Sequence, residues 1–287
     1  MAPINSDDLH PVVRVFVESD AELSDILRDE RIQRGPLVEA LALLCDAIDG
    51  RQAANGALHA ARDVSLTGKD ANLCALFLTA WARALHVQSG MIRARLAEAW
   101  TLLRQAQNLL TGASPPELQA WVKLTEARLT GSSGNTASEE KIIRSAIEAL
   151  GRSSPRRAIV ILELAFLLAR TGRLSELEPM HAVMKGRKAM ATFPALRFID
   201  NIETGRIAEA LKLQSTVEET ETPLSLVPLI KTYCRLLEVM CRRDPAPHVE
   251  EQSPDTSDWA LTLQCLATGR IHQALRWARL WERREDD

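Results

Sequence analysis

Aromatic side chains are scarce, at 4% of 287 residues with a single tyrosine. A β-sandwich of this size usually draws on Tyr, Phe and Val for its strands, so the shortage argues against one. No segment alternates apolar and polar residues for long enough to suggest a sheet. The chain also lacks a run of about 18 apolar residues, which excludes an obvious membrane-spanning helix. Met1 to His10 does not show the charged-then-apolar pattern of a secretory leader, and the expected location is the cytoplasm. Neither sign of charge dominates. The formal net charge of -3 gives no global drive toward nucleic acid or an anionic membrane. Lysine is sparse, with 7 residues against 28 arginines, a bias that genomic base composition explains as readily as function.

Chemistry-bearing patterns are missing as well. There is no Gly-rich phosphate loop, no Gly-x-Ser-x-Gly, no His-Glu-x-x-His and no Cys-x-x-Cys. The five cysteines, Cys45, Cys74, Cys234, Cys241 and Cys265, are odd in number and scattered through apolar helical surroundings. They read as buried free thiols in a reducing compartment. Cys234 and Cys241 share a helical face, but His248 lies beyond Pro245 and Pro247, so a buried apolar face is the better reading than a metal site. No catalytic residue, metal ligand or cofactor is expected.

What the sequence has in abundance is Leu, Ala, Ile and Val at helical spacing, within a hydrophobic content of 46%. Leu96, Leu102, Leu103, Ala106, Leu109 and Leu110 form one such set. Pro3 and Pro11 interrupt residues 1–20, which read as an arm or the start of a first helix. Gly35-Pro36, Ser114-Pro115-Pro116, Ser154-Pro155, Thr222-Pro223 and Ser253-Pro254 look like helix starts or the turns before them. Ser138 is the expected cap of a helix beginning at Glu139, after an extended turn over 131–138.

One motif recurs three times. Thr171-Gly172-Arg173-Leu174-Ser175-Glu176-Leu177 returns as Thr204-Gly205-Arg206-Ile207-Ala208-Glu209-Ala210-Leu211. It returns again as Thr268-Gly269-Arg270-Ile271-His272-Gln273-Ala274-Leu275. The glycines are 33 and then 64 residues apart, about one and two helical hairpins. Each copy follows an apolar helix and opens another. Gly172, Gly205 and Gly269 are expected to end the first helix in the left-handed conformation, which glycine adopts at little cost. Upstream, Gly50, Gly90, Gly131 and Gly172 are spaced by 40, 41 and 41, as in a longer helical repeat.

This turn resembles the hairpin turn of tetratricopeptide repeats, best over residues 156–220 and 257–284. Ala165 falls where that family places a small residue in its first helix. The family's aromatic positions are mostly aliphatic here, and Phe198 takes the small-residue place in the second hairpin. The resemblance implies an all-α chain of about six antiparallel hairpins in one right-handed superhelix. Its expected organisation is an N-terminal arm or first helix (1–20), longer degenerate hairpins (21–155), and tetratricopeptide-like repeats (156–287) with an irregular stretch at 244–257.

Two helices are apolar nearly all round, one over 73–85 and one over 158–169. Each is either enclosed on both sides or exposed to a partner. In the tetratricopeptide arrangement, first helices line a concave groove. By that analogy Ile159, Leu162, Phe166 and Arg170 face the groove, with Phe77 and Ile199 as further lining residues, and Arg156, Arg157 and Arg170 bracket it. Residues 152–197 carry 9 bases and 3 acids between acidic flanks, which suits an acidic segment as readily as solvent. Trp81, Trp100, Trp121, Trp259, Trp277 and Trp281 read first as packing residues, with an exposed anchor as the alternative for Trp281, which lies amid charge near the chain end. The expected function is an interaction scaffold, adaptor or chaperone-like protein that holds a protein or peptide segment. It would have no nucleic-acid or membrane partner, and homodimerisation is left open. The alternatives are a ligand-sensing helical-repeat module of a bacterial regulatory system and a self-assembling structural subunit.

Overall fold

Prolines open helices at several of the places expected. The computed structural model describes residues 9–49, 51, 54–89, 93–132, 135–177, 187–219 and 234. Eleven α-helices lie among them, with a 3-10 turn over 174–177, and the described residues contain no strand. In chain order they are α1 (Pro11–Glu18), α2 (Leu23–Ile26), α3 (Pro36–Ile48), α4 (Ala54–Arg62), α5 (Ala71–Ser89) and α6 (Arg93–Leu109). There follow α7 (Pro116–Ser132), α8 (Thr136–Ala149), α9 (Arg157–Arg170), α10 (Arg187–Glu203) and α11 (Ile207–Glu219). No helix among the described residues is long and apolar enough to cross a membrane.

Local chemistry accounts for these starts. Pro11 and Pro36 stand in the first turns of α1 and α3, where the missing N–H has no helical partner to lose. The arm at 11–18 is thus a helix, and it buries Val12, Val13 and Phe16 on one face. Asp70 accepts the Leu73 N–H at 2.7 Å ahead of α5. The cap of α8 differs from the expectation at Ser138. Asn135 is the N-cap, and its Oδ1 accepts from the Ser138 N–H at 3.1 Å. α7 continues to Ser132 and α8 begins at Thr136, so 131–138 is not one extended turn. Gly131 lies inside α7, and a side chain there would overlap the Glu139 carboxylate (2.2 Å from its Cβ to Oε2). It is needed for close approach rather than for a turn.

The chain divides into two compact units, Met1–Leu164 and Ala165–Asp287. In the first, helices adjacent in sequence pack as pairs: α3 with α4, α5 with α6, α7 with α8. Helix α5 is the hub, touching α1, α3, α4, α6 and α7. Its residues from Leu73 to Ala80 are all buried, as are Ala82 to Leu85. A helix surrounded in this way needs no polar face, which explains why its sequence has almost none.

In the second unit α10 packs on α11, and two copies of the Thr-Gly-Arg turn can be compared. Gly172 has φ +67° and Gly205 φ +74°. The Arg173 N–H donates to the Leu168 carbonyl at 2.7 Å and the Gly172 N–H to Ala169 at 3.1 Å. Arg206 donates to Asn201 at 2.7 Å and Gly205 to Ile202 at 3.0 Å. Both are Schellman closures with glycine at the left-handed position. The threonine hydroxyls repeat too: Thr171 donates to the Leu167 carbonyl at 2.9 Å and Thr204 to Asp200 at 2.6 Å. Gly269 lies outside the described residues.

Asp200 ties one turn to the next. It is 5% exposed, accepts the Leu174 N–H at 3.0 Å and pairs with Arg206. Replacing Gly172 with Val is expected to cost about 1–2 kcal/mol or more, since a β-branched residue fits positive φ poorly. A Cβ at Gly172 also meets the Thr204 methyl at 3.0 Å, whereas one at Gly205 meets nothing within 4 Å. Gly205→Val should therefore cost less than Gly172→Val. Urea melts of both variants check this, and equal midpoints for both variants and wild type would refute the turn assignment. Within α10 the chain stays helical through Pro194, against a helix-interior penalty of about 3 kcal/mol. Burial of Ala195, Leu196, Phe198 and Ile199 offsets it.

Candidate functional site

The six residues expected to line a groove do not share one environment. Phe77 and Ile199 have no exposed surface. Phe77 sits on the enclosed helix α5, 5.8 Å from the Trp81 ring, and Ile199 lies on the buried side of α10. Both fill cores and offer nothing to a partner, a correction to the groove reading. On α9 the outcome differs. Val160, Ile161, Leu164, Ala165, Leu167, Leu168 and Ala169 are buried, while Ile159, Leu162, Glu163, Phe166 and Arg170 are half-buried. The half-buried positions recur every three or four residues, so they form one stripe along the helix.

The stripe is apolar with charged margins. The Arg170 guanidinium lies 6.0 Å from the centre of the Phe166 ring, at the edge of cation–π range. Glu163 is held by Arg128 of α7 through two hydrogen bonds, one of them from Nε at 3.2 Å. The other two arginines expected at the rim are committed elsewhere. Arg157 donates to the carbonyls of Ile147 at 2.6 Å and Leu150 at 2.8 Å, closing the C-terminus of α8. Arg156 is buried, donating from Nε to the Phe16 carbonyl at 2.8 Å with its guanidinium 4.0 Å from that ring. Of the arginines expected to bracket the stripe, Arg170 alone stands on it.

Sequence reasoning passed over a second cluster, on α5 and α7. Arg83 is buried, its guanidinium 4.0 Å from the Trp121 ring. His86, one turn further along α5, meets the Ser132 hydroxyl at 3.3 Å from Nδ1. The only sequence signal was an Arg and a His three apart on a helix otherwise apolar all round. Burial, helped by Arg128 and Arg83, holds the His86 imidazole down at about 4. Between an unfolded value of 6.5 and about 4, the unfolded chain takes up a proton that the folded chain refuses. Stability should therefore fall as pH drops through that window, by about 2–3 kcal/mol at its lower end. Urea denaturation at pH 7 and pH 4.5, wild type against His86→Leu, isolates this share, and equal losses in both chains would overturn it.

The buried thiols suit packing rather than chemistry. Cys45 and Cys234 are buried, and desolvation pushes the Cys45 thiol well above its usual range. Cys241, Cys265 and His248 lie outside the described residues, as do Trp259, Trp277, Trp281 and the stretch 244–257. Trp81, Trp100 and Trp121 are half-buried against the core of the first unit. No protein-family model, curated protein or solved structure matches this chain.

Proposed function

We propose that this chain is a protein-interaction scaffold, an adaptor or chaperone-like protein of the cytoplasm. It is built from tetratricopeptide-like hairpins wound into a right-handed superhelix of about six. It binds a partner segment and catalyses nothing. The observation that carries this reading is the stripe on α9. Ile159, Leu162 and Phe166 keep part of their apolar surface in water, beside the cationic head of Arg170. Anchors at this spacing match an amphipathic helix or an extended segment laid along them. The two Thr-Gly-Arg turns, with glycines 33 residues apart and the same hydrogen-bond closures, support the repeat reading.

Phe166→Ala tests it. Partner binding should weaken by about 1–3 kcal/mol, as on truncation of an aromatic anchor. Folding stability should fall by no more than about 1–2 kcal/mol, because part of the ring is already in water. The partner is first recovered from the native cytoplasm by cross-linking to the wild-type chain, then titrated against both chains. A partner that binds the variant as tightly as the wild type, or a loss of stability on the scale of a core phenylalanine, would reject the stripe as the binding surface.

A further inference from the structure

Two arginines of the first unit are buried, and no carboxylate among the described residues forms an ion pair with either. Arg83 is 6% exposed and Arg156 4%. They bracket a pair of rings: Arg83 lies 4.0 Å from Trp121, Trp121 meets Phe16 edge-on at 5.8 Å, and Arg156 lies 4.0 Å from Phe16. The rings attract both cations through their π faces, but a π face does not satisfy an N–H. Arg83 Nε and Nη1, Trp121 Nε1 and Arg156 Nη2 are buried without a hydrogen-bond partner among the described residues. All four are donors. Guanidinium and indole have no acceptor to offer one another, so no rotation of these side chains satisfies them mutually.

Buried charge is normally paired, because an uncompensated buried ion costs several kcal/mol. The carboxylates nearby do not fill that role. Glu163 is engaged by Arg128. Glu22, whose charge is felt at both arginines, and Asp20 and Glu117, felt at Arg156, make no hydrogen bond or ion pair with either among the described residues. His86 is neutral at physiological pH and Arg128 adds positive charge. A positive, donor-only cluster on an aromatic floor is chemically complementary to an anion rich in acceptor oxygens.

We propose that Arg83 and Trp121 form a binding site for the oxyanion group of a small molecule, a carboxylate or a phosphate. Arg156 adds to the attracting field from the far side of Phe16. The ligand group accepts hydrogen bonds from Arg83 Nε and Nη1 and from the Trp121 indole, and it supplies the negative charge that the helices do not. The part of Arg83 that remains exposed gives it entry. This site is independent of the α9 stripe, and neither reading depends on the other.

The test is thermal melting and calorimetric titration of the full chain with inorganic phosphate and, separately, succinate, against sodium chloride at matched ionic strength. The expected result is a saturable rise in melting temperature with one of the two oxyanions and not with chloride; which one acts identifies the phosphate or the carboxylate as the group read. Arg83→Met, which keeps the stem and removes the charge, should abolish the saturable response. Trp121→Phe keeps a ring and removes one donor. It should weaken apparent affinity by roughly tenfold, as expected for one hydrogen bond to a charged group, and it serves if Arg83→Met fails to fold. Identical melting in phosphate, succinate and chloride would overturn the proposal. So would a full response retained in Trp121→Phe together with any folded Arg83→Met, which would place the anion elsewhere on the surface.

Discussion

Phe77→Ala is expected to cost about 3–5 kcal/mol, the range for truncating a fully buried phenylalanine. The ring has no exposed surface, lies against Trp81 and sits on α5, which among the described residues touches five other helices. The loss combines the transfer energy of the ring with a cavity that five surrounding helices cannot readily close. Phe77→Leu should cost far less, since it keeps most of the volume. The contrast with Phe166 is the useful measurement. Two phenylalanines on two similarly apolar helices should differ by about 2 kcal/mol or more, because burial differs while residue type does not. Urea denaturation of both alanine variants measures it. Equal costs would mean that α5 and α9 are equally enclosed.

Asp200→Ala is expected to cost about 2–4 kcal/mol, by leaving a buried backbone N–H without an acceptor and removing the carboxylate that pairs with Arg206. Asp200 reaches back from α10 to the Leu174 N–H just past the Gly172 turn, and forward to Arg206 in the Gly205 turn. It is therefore the joint between two consecutive repeat turns. Asp200→Asn should recover part of the loss, since the amide oxygen still accepts from Leu174 while the charge opposite Arg206 is gone. Hydrogen exchange locates the effect: amides of the second unit should open more readily and those of the first should be unchanged, the reverse of Phe77→Ala. An Asp200→Ala variant within about 0.5 kcal/mol of wild type, the usual range for a surface substitution, would show that the joint carries no stability.

Much of the local structure was legible in the residues. A helical period without alternation, proline at helix starts and glycine after threonine are short-range signals. They fix backbone conformation within a turn or two, and the structure has helices and left-handed glycines at Gly172 and Gly205 accordingly. The error at Ser138 was local as well. Asn135 and Ser138 are both competent caps, and the choice depended on how far α7 extends toward Ser132.

The environment of each side chain was not legible, because it depends on distant neighbours. The apolar runs at 73–85 and 158–169 look alike in sequence. One became a hub touching five other described helices, and the other kept a half-buried stripe. Arg156 was read as a rim residue from its place before an apolar helix. Its actual partner is Phe16, 140 positions away in sequence, and no periodicity reports such a pairing. Arg83 is the same case: only the approach of α7 puts Trp121 across its guanidinium. By itself the sequence determined that the described residues are helical and that two turns fall at Gly172 and Gly205, because dihedral preference and hydrogen-bond closure act within a few residues. The tertiary structure decided which apolar and cationic side chains are withdrawn from water, because burial is set by whatever the folded chain brings alongside.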